Sequence, residues 1–348
     1  MRKIVHLLFF TLLIGCEENK GSKLQEIVYE DITSLPKQEI RFEKKNIGER
    51  LMVPRRIWIE DSVLIVNDQG YSDGFLRFYS MTSGRFLAKF GTIGPGPYEY
   101  VIPRFTKIRD SIIVISVNGR CTFLSIRDLA NNDFLCTSLI LKDKVYYSSN
   151  YFFPIKDTLF IATMTSEYQF FLYNNRLNTT IKVNNYPLAE RKNNVSDFCL
   201  NMMVYDAFYT IKPDKEKLIV AYKNYPIVDI IQPLDFTTLR IEFRNKIHNH
   251  YKVIDQMNVQ FENQHIQYTF AYCTDKYFYL LYQNATKEML EQNENKSEIH
   301  VFDWNGNLIK RYVSDLSIYN LAVSNNNDYL YALGLDENLD PQLYMAEI

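Results

Sequence analysis

Six times along this chain a polar turn, often with Asp, runs into a stretch of apolar residues. The segments are EDSVLIVN (60–67), RDSIIVIS (109–116), KDTLFIAT (156–163), KEKLIVAY (215–222), TDKYFYLLY (274–282) and NNDYLYALG (326–334). With Asp61, Asp110, Asp157, Glu216, Asp275 and Asn327 aligned, the steps between them are 49, 47, 59, 59 and 52 residues. A period near fifty is the scale of a propeller blade. The runs are continuously apolar and rich in Val, Ile and aromatic residues, as in strands covered on both faces. They are too short for the 3.6-residue pattern of an amphipathic helix. A ring of radial sheets, each sandwiched between two others, supplies the dry environment such strands need.

Each run is followed by a second pair of strands. EIHVFDWNGNLIKRYV (298–313) carries Asn305-Gly306 between two strand-like stretches, and FLRFYSMTSGRFLAKFG (75–91) turns at Gly84. Asn-Gly predicts a tight type I′ hairpin, which needs positive φ at both central residues. TFLSIRDLANNDFLCTSLI (122–140) and DIIQPLDFTTLRIEF (229–243) are looser versions. The expected fold is all-β: a six-bladed β-propeller of four-stranded antiparallel blades. The last unit is one strand short, since only QLYMAEI (342–348) follows its first pair. An open ring would leave bare sheet edges. The alternating segment KQEIRFEKK (37–45) is therefore expected to pair beside the C-terminal strand, so that an N-terminal strand closes the last blade.

The chain opens MRKIVHLLFFTLLIGCEENKG. Its apolar run, Ile4 to Ile14, is too short to span a bilayer, which takes about 20 residues, and it has the length of a signal-peptide core. Leu13-Ile14-Gly15-Cys16 resembles a bacterial lipobox, which implies that Cys16 carries the lipid. Glu17 and Glu18 resemble the surface-export signal of Bacteroidetes lipoproteins. The expected organisation is a signal peptide over 1–15, a lipidated flexible tether over 16–36 and one propeller domain over 37–348. The implied location is exported and membrane-anchored, at the outer membrane or cell surface. Four further cysteines, Cys121, Cys136, Cys199 and Cys273, permit disulfides in an exported protein, but small buried thiols are the better reading for all four.

GTIGPGPYEY (91–100) has glycines at 91, 94 and 96. A phosphate loop needs Gly-Lys-Ser/Thr opening a helix, and a dinucleotide fingerprint needs a βαβ unit. Neither follows here; the segment reads as the crossing from blade one to blade two. The sequence Gly94-Pro95-Gly96-Pro97-Tyr98-Glu99-Tyr100 is similar to a motif after the first blade of TolB-like six-bladed propeller lipoproteins of Bacteroidetes. It departs from that motif at Tyr98, where glycine is usual. The resemblance covers most of residues 38–348.

In antiparallel blades the short turns leave at one end of the ring and the crossings between blades at the other. The long connections, 91–103, 186–206, 244–266 and 284–298, are expected on one face, where binding sites tend to sit. Arg55, Arg56 and Arg104 begin inner strands there. They are candidates to hold a carboxylate or another anion, or to pair with acids such as Glu99. Tyr98, Tyr100 and Tyr268 are candidate stacking surfaces for a sugar or peptide, or ordinary blade packing. His248 and His250, with His265, form a weak metal-ligand pattern; no metal and no cofactor is expected. Hydrolase motifs and EF-hand loops are absent from the sequence. A net charge of −2 without a basic stripe offers nothing to nucleic acid. The expected function is ligand or protein binding by a lipid-anchored propeller, with a small molecule, glycan or protein as partner. The alternative is a hydrolase or lyase acting on carbohydrate or peptide in the central channel.

Overall fold

Backbone pairing converts the repeat into six radial sheets. The computed structural model describes residues 23–30, 36–96, 99–116, 119–127, 136–142, 149–164, 166–187, 194–244, 249–292 and 296–348. The signal segment, Cys16, Glu17, Glu18, Tyr98 and His248 lie outside the described residues. Three strands precede the ring: β1 (Leu24–Tyr29), β2 (Lys37–Ile40) and β3 (Glu43–Lys44). Blade one holds β4 (Pro54–Glu60), β5 (Val63–Asp68), β6 (Leu76–Ser80) and β7 (Phe86–Phe90). Blade two holds β8 (Arg104–Ile108), β9 (Ser111–Ile115), β10 (Arg120–Ser125) and β11 (Cys136–Ile140). Blade three holds β12 (Ser149–Lys156), β13 (Leu159–Met164), β14 (Phe170–Asn174) and β15 (Thr179–Val183). Blade four holds β16 (Ala207–Ile211), β17 (Leu218–Tyr222), β18 (Ile227–Ile231) and β19 (Thr238–Phe243). A hairpin, β20 (His250–Asp255) and β21 (Asn258–Glu262), is inserted before blade five. Blade five holds β22 (His265–Cys273), β23 (Tyr277–Thr286), β24 (Glu298–Asp303) and β25 (Leu308–Ser314); blade six holds β26 (Ile318–Val323), β27 (Tyr329–Leu335) and β28 (Pro341–Glu347).

The second strands are dry on both faces, as their composition requires. Every residue of β17 and β18 is buried, Asp229 included. Asp229 is tolerated because Arg240 meets it with two hydrogen bonds of 2.8 Å, while Tyr222 donates to it at 3.0 Å. A buried charge persists only when paired in this way. The first strands have one edge toward the axis and no ladder partner there. In blade one two of these free N–H groups are met by side chains of other blades: Ile57 N–H donates to Asn320 Oδ1 at 3.1 Å, and Ile59 N–H reaches the Tyr272 hydroxyl at 3.5 Å. These bonds tie blade one to blades six and five.

Ring closure is by the N-terminal segment, in two parts. β3 pairs antiparallel with β28, Glu43 opposite Met345, and becomes the fourth strand of blade six. β2 instead lies parallel to β25 as a fifth strand of blade five. The expected tether over 16–36 also needs correction, because β1 lies parallel to β19 as a fifth strand of blade four. Its apolar half packs down: Tyr29 stacks on Phe243 at 5.4 Å, donates to the Gly306 carbonyl at 3.1 Å and accepts from Leu308 N–H at 2.8 Å. The Asn305-Gly306 turn is wider than expected. Only Gly306 has positive φ (86°), and the Asp303 carboxylate caps Asn305 and Asn307 N–H at 2.9 Å each. Asx capping there replaces the second left-handed residue. Cys121 lies opposite Leu139 and Cys136 opposite Leu124, so the two thiols are out of register and free.

Candidate functional site

Each inner strand starts at the long-loop end of the ring and finishes at the short-turn end. Arg55 and Arg56, at the start of β4, therefore come together with Arg104, at the start of β8. They line one open cavity of about 450 Å³ at the long-loop mouth of the channel, with Asn150, Asp206 and Phe208. Asp206, the one carboxylate lining it among the described residues, is engaged by Lys223 at 3.1 Å. The mouth is thus cationic.

Arg56 sits deepest. Its guanidinium lies 5.4 Å from the Trp58 ring and 5.0 Å from the Phe270 ring. Its Nε is buried and hydrogen-bonded to nothing among the described residues. Burial pushes the Arg56 guanidinium below its ordinary pKa, with nearby Tyr151, Cys273 and Tyr272 only partly offsetting it. Burial lowers Arg104 as well. Below Arg56 the channel narrows to about 30 Å³ between Trp58, Phe105, Tyr151, Phe153 and Tyr272. The mouth narrows onto an aromatic-rich constriction.

The other candidate residues divide. Glu99 turns back into its own loop, where its carboxylate accepts from Gly96 N–H at 2.7 Å. A Cβ at Gly94 would stand 2.1 Å from that carboxylate, so the glycine makes room for it. The glycine-rich loop is a nest for its own glutamate. Tyr268 is corrected: it is fully buried, packed on Tyr282 and His300 at ring distances of 5.5 and 6.0 Å, and offers no stacking surface. It faces a neighbouring blade, and Tyr100 likewise packs edge-on against Phe75. His250 lies on the inserted hairpin and His265 begins β22; among the described residues no group of three His, Cys, Asp or Glu could hold a metal. Cys273 lines the channel, but burial pushes its thiol up to about 11, and it donates to the Ile211 carbonyl at 2.7 Å. A protonated thiol is a poor nucleophile.

The sequence reading missed the opposite mouth. A basin of about 1140 Å³ opens on the short-turn face, lined by the first turns of blades one, two and five. Its charges balance, with Glu60, Asp61, Asp110 and Asp275 against Arg85, Lys107, Arg109 and Arg127. Lys107 pairs with Glu60, and Arg127 with Asp110. The signal was present as the charged turn of each repeat, but turn chemistry alone explained it.

A family model for TolB-like six-blade propellers matches residues 37–326. Two solved structures share the fold. One is a Bacteroides fragilis NCTC 9343 protein described as an exported-protein candidate, 11% identical, TM-score 0.54, covering 93% of this chain and 99% of that one. The other is a member of the DUF4221 family from Bacteroides vulgatus ATCC 8482, 10% identical, TM-score 0.57, covering 90% and 97%. No curated protein matches the sequence. Among the described residues no helix is long and apolar enough to cross a membrane.

Proposed function

The chain belongs to the TolB-like six-bladed propeller family, and on that premise we propose that it is a binding protein of the bacterial cell envelope. In this reading it is exported, held to the membrane by lipid on Cys16, and takes its ligand at the long-loop mouth of the channel. The observation that carries the reading is Arg56, a half-buried cation with a buried, unbonded Nε and no ion-pair partner among the described residues, facing an open cavity. A buried charge left unpaired costs several kcal/mol, and such groups cluster at functional sites. The hydrolase or lyase reading has less behind it. No His lines this cavity among the described residues, and its carboxylate, Asp206, is occupied by Lys223.

The anchor and the site also fit one another. Leu24 pairs with Thr238, at the short-turn end of β19, so β1 enters the propeller at the short-turn rim. Eight residues from Cys16 to Leu24 reach at most about 28 Å when fully extended. A lipid on Cys16 then holds the short-turn rim toward the membrane and turns the long-loop mouth away.

The test combines protease shaving of intact cells with photo-crosslinking. Wild type is expected to be membrane-bound and cut on intact cells, Cys16→Ala released, and the Glu17→Ala/Glu18→Ala variant membrane-bound but protected. A photo-reactive residue at Asn150 is expected to capture a ligand that one at Asp275 does not. Capture only at 275, or membrane attachment unchanged in Cys16→Ala, would count against the reading.

A further inference from the structure

We infer that the long-loop mouth takes a small organic carboxylate with an aromatic or apolar body, its acid group set on Arg56. This rests on the binding reading above and adds the chemical class of the ligand. Three features of the cavity lead to it.

The first is charge. Arg55 is exposed and Arg56 half-buried, and neither side chain makes a hydrogen bond or ion pair among the described residues. The cavity's single acid is already neutralised by Lys223. A neutral ligand would leave the Arg56 charge uncompensated; an anion would offset it. The second is shape. The guanidinium lies 5.4 Å from the Trp58 ring and 5.0 Å from the Phe270 ring, contacts that restrain it without using its N–H donors. A planar guanidinium matches a carboxylate, which accepts two parallel hydrogen bonds in its plane. The third is the lining around that charge. Phe105, Phe208 and Tyr151 stand beside the arginines, and a cavity of about 450 Å³ lies within the range typical of small-molecule sites.

The rim extends the apolar surface outward. Ile102 is 64% exposed, and Met202, lining the adjoining cavity that shares Asn150 and Asp206, is 43% exposed. Ile102 also has φ of 48°. A β-branched residue rarely adopts that conformation, and such strain gathers at ligand sites. The short-turn basin shows the contrast: it is larger, but its charges balance, and two of its four cations, Lys107 and Arg127, are ion-paired.

The experiment is isothermal titration calorimetry of the folded propeller with hippurate, its uncharged analogue hippuramide, and inorganic phosphate. Wild type is expected to bind hippurate at least about tenfold more tightly than hippuramide, the loss expected when a charge-assisted pair is removed. Phosphate is expected to bind more weakly than hippurate. Arg56→Met should abolish the preference for the acid. Arg56→Lys, which keeps the charge but not the planar fork, should retain part of it. Arg85→Met, on the opposite mouth, should bind as wild type does. Thermal unfolding confirms that each variant is folded. Equal binding of acid and amide, no hippurate binding at millimolar concentration, tighter binding of phosphate, or an unchanged preference in folded Arg56→Met would each overturn the carboxylate assignment. Capture at position 150 would survive that failure, so the ligand class can fall while the binding face stands.

Discussion

At Glu298 one carboxylate gathers an arginine, a lysine and a histidine. Arg311 Nε donates at 2.7 Å, His300 Nε2 lies at 3.0 Å and Lys37 Nζ at 3.5 Å. Burial alone would raise this carboxyl, but His300 and Arg311 outweigh it and hold it well below its ordinary value of 4.5. A depressed folded pKa stabilises the protein above the unfolded value, and that stability is lost as pH falls below it. Denaturant unfolding should therefore show wild type weakening below about pH 4.5 on this account. Glu298→Gln should be less stable at pH 7 by up to about 3–5 kcal/mol, the cost of breaking a buried pair, and the gap should begin to narrow below about pH 4.5 and close only as pH falls through the strongly depressed folded value. A gap independent of pH would show that the charge is not what matters. The same scale shows what could be read in advance. Arg55 and Arg56 were legible because they directly precede an inner-strand run. Tyr268 was not, because its burial depends on which residues of its own blade and the next lie over it.

Strands obeyed local pattern where both partners were local. Each A–B hairpin followed from its polar turn, and Asp61 and Arg109 adopt positive φ (49° and 48°) at that turn. The alternation in 37–45 foretold a closing strand, but not that Ile40 and Glu43 would serve different blades. β1 was missed because a parallel edge strand has no turn to announce it, and its pairing partner lies over two hundred residues away. These elements differ in consequence. A chain beginning at Pro36 loses only a fifth strand and should fold as a monomer with a lower unfolding temperature. A chain beginning at Lys45 also loses β2, another fifth strand, and β3, and leaves β28 as an open edge, the kind that seeks another chain. Size-exclusion chromatography should show it oligomeric or aggregated; a well-behaved monomer would mean that β3 is not needed to close the ring.

For the molecule as a whole, the proposed lipid on Cys16 and the entry point of β1 together predict an orientation. A genetically encoded fluorophore at Asp275, on the short-turn face, should be quenched by nitroxide-labelled lipid more strongly than one at Asn150. The comparison uses the lipidated protein on vesicles. Equal quenching would mean that the tether leaves the propeller free to tumble, and stronger quenching at 150 would invert the arrangement. Soluble Cys16→Ala protein mixed with the same vesicles provides the baseline.

The sequence by itself determined the repeat, its period, the dryness of the inner strands and the need for an outside strand to close the last blade. Those are properties of contiguous residues, governed by strand burial and by unpaired edges. It also placed three arginines at the start of inner strands. Only the tertiary structure decided that Arg56 would lie beside Trp58 of its own blade and Phe270 of blade five, with no ion-pair partner among the described residues. Only the tertiary structure turned Glu99 inward, away from the arginines it was expected to meet. The reason is geometric: the channel is lined by short stretches from different blades, so the company a residue keeps at the axis depends on ring closure and on neighbours distant in the chain.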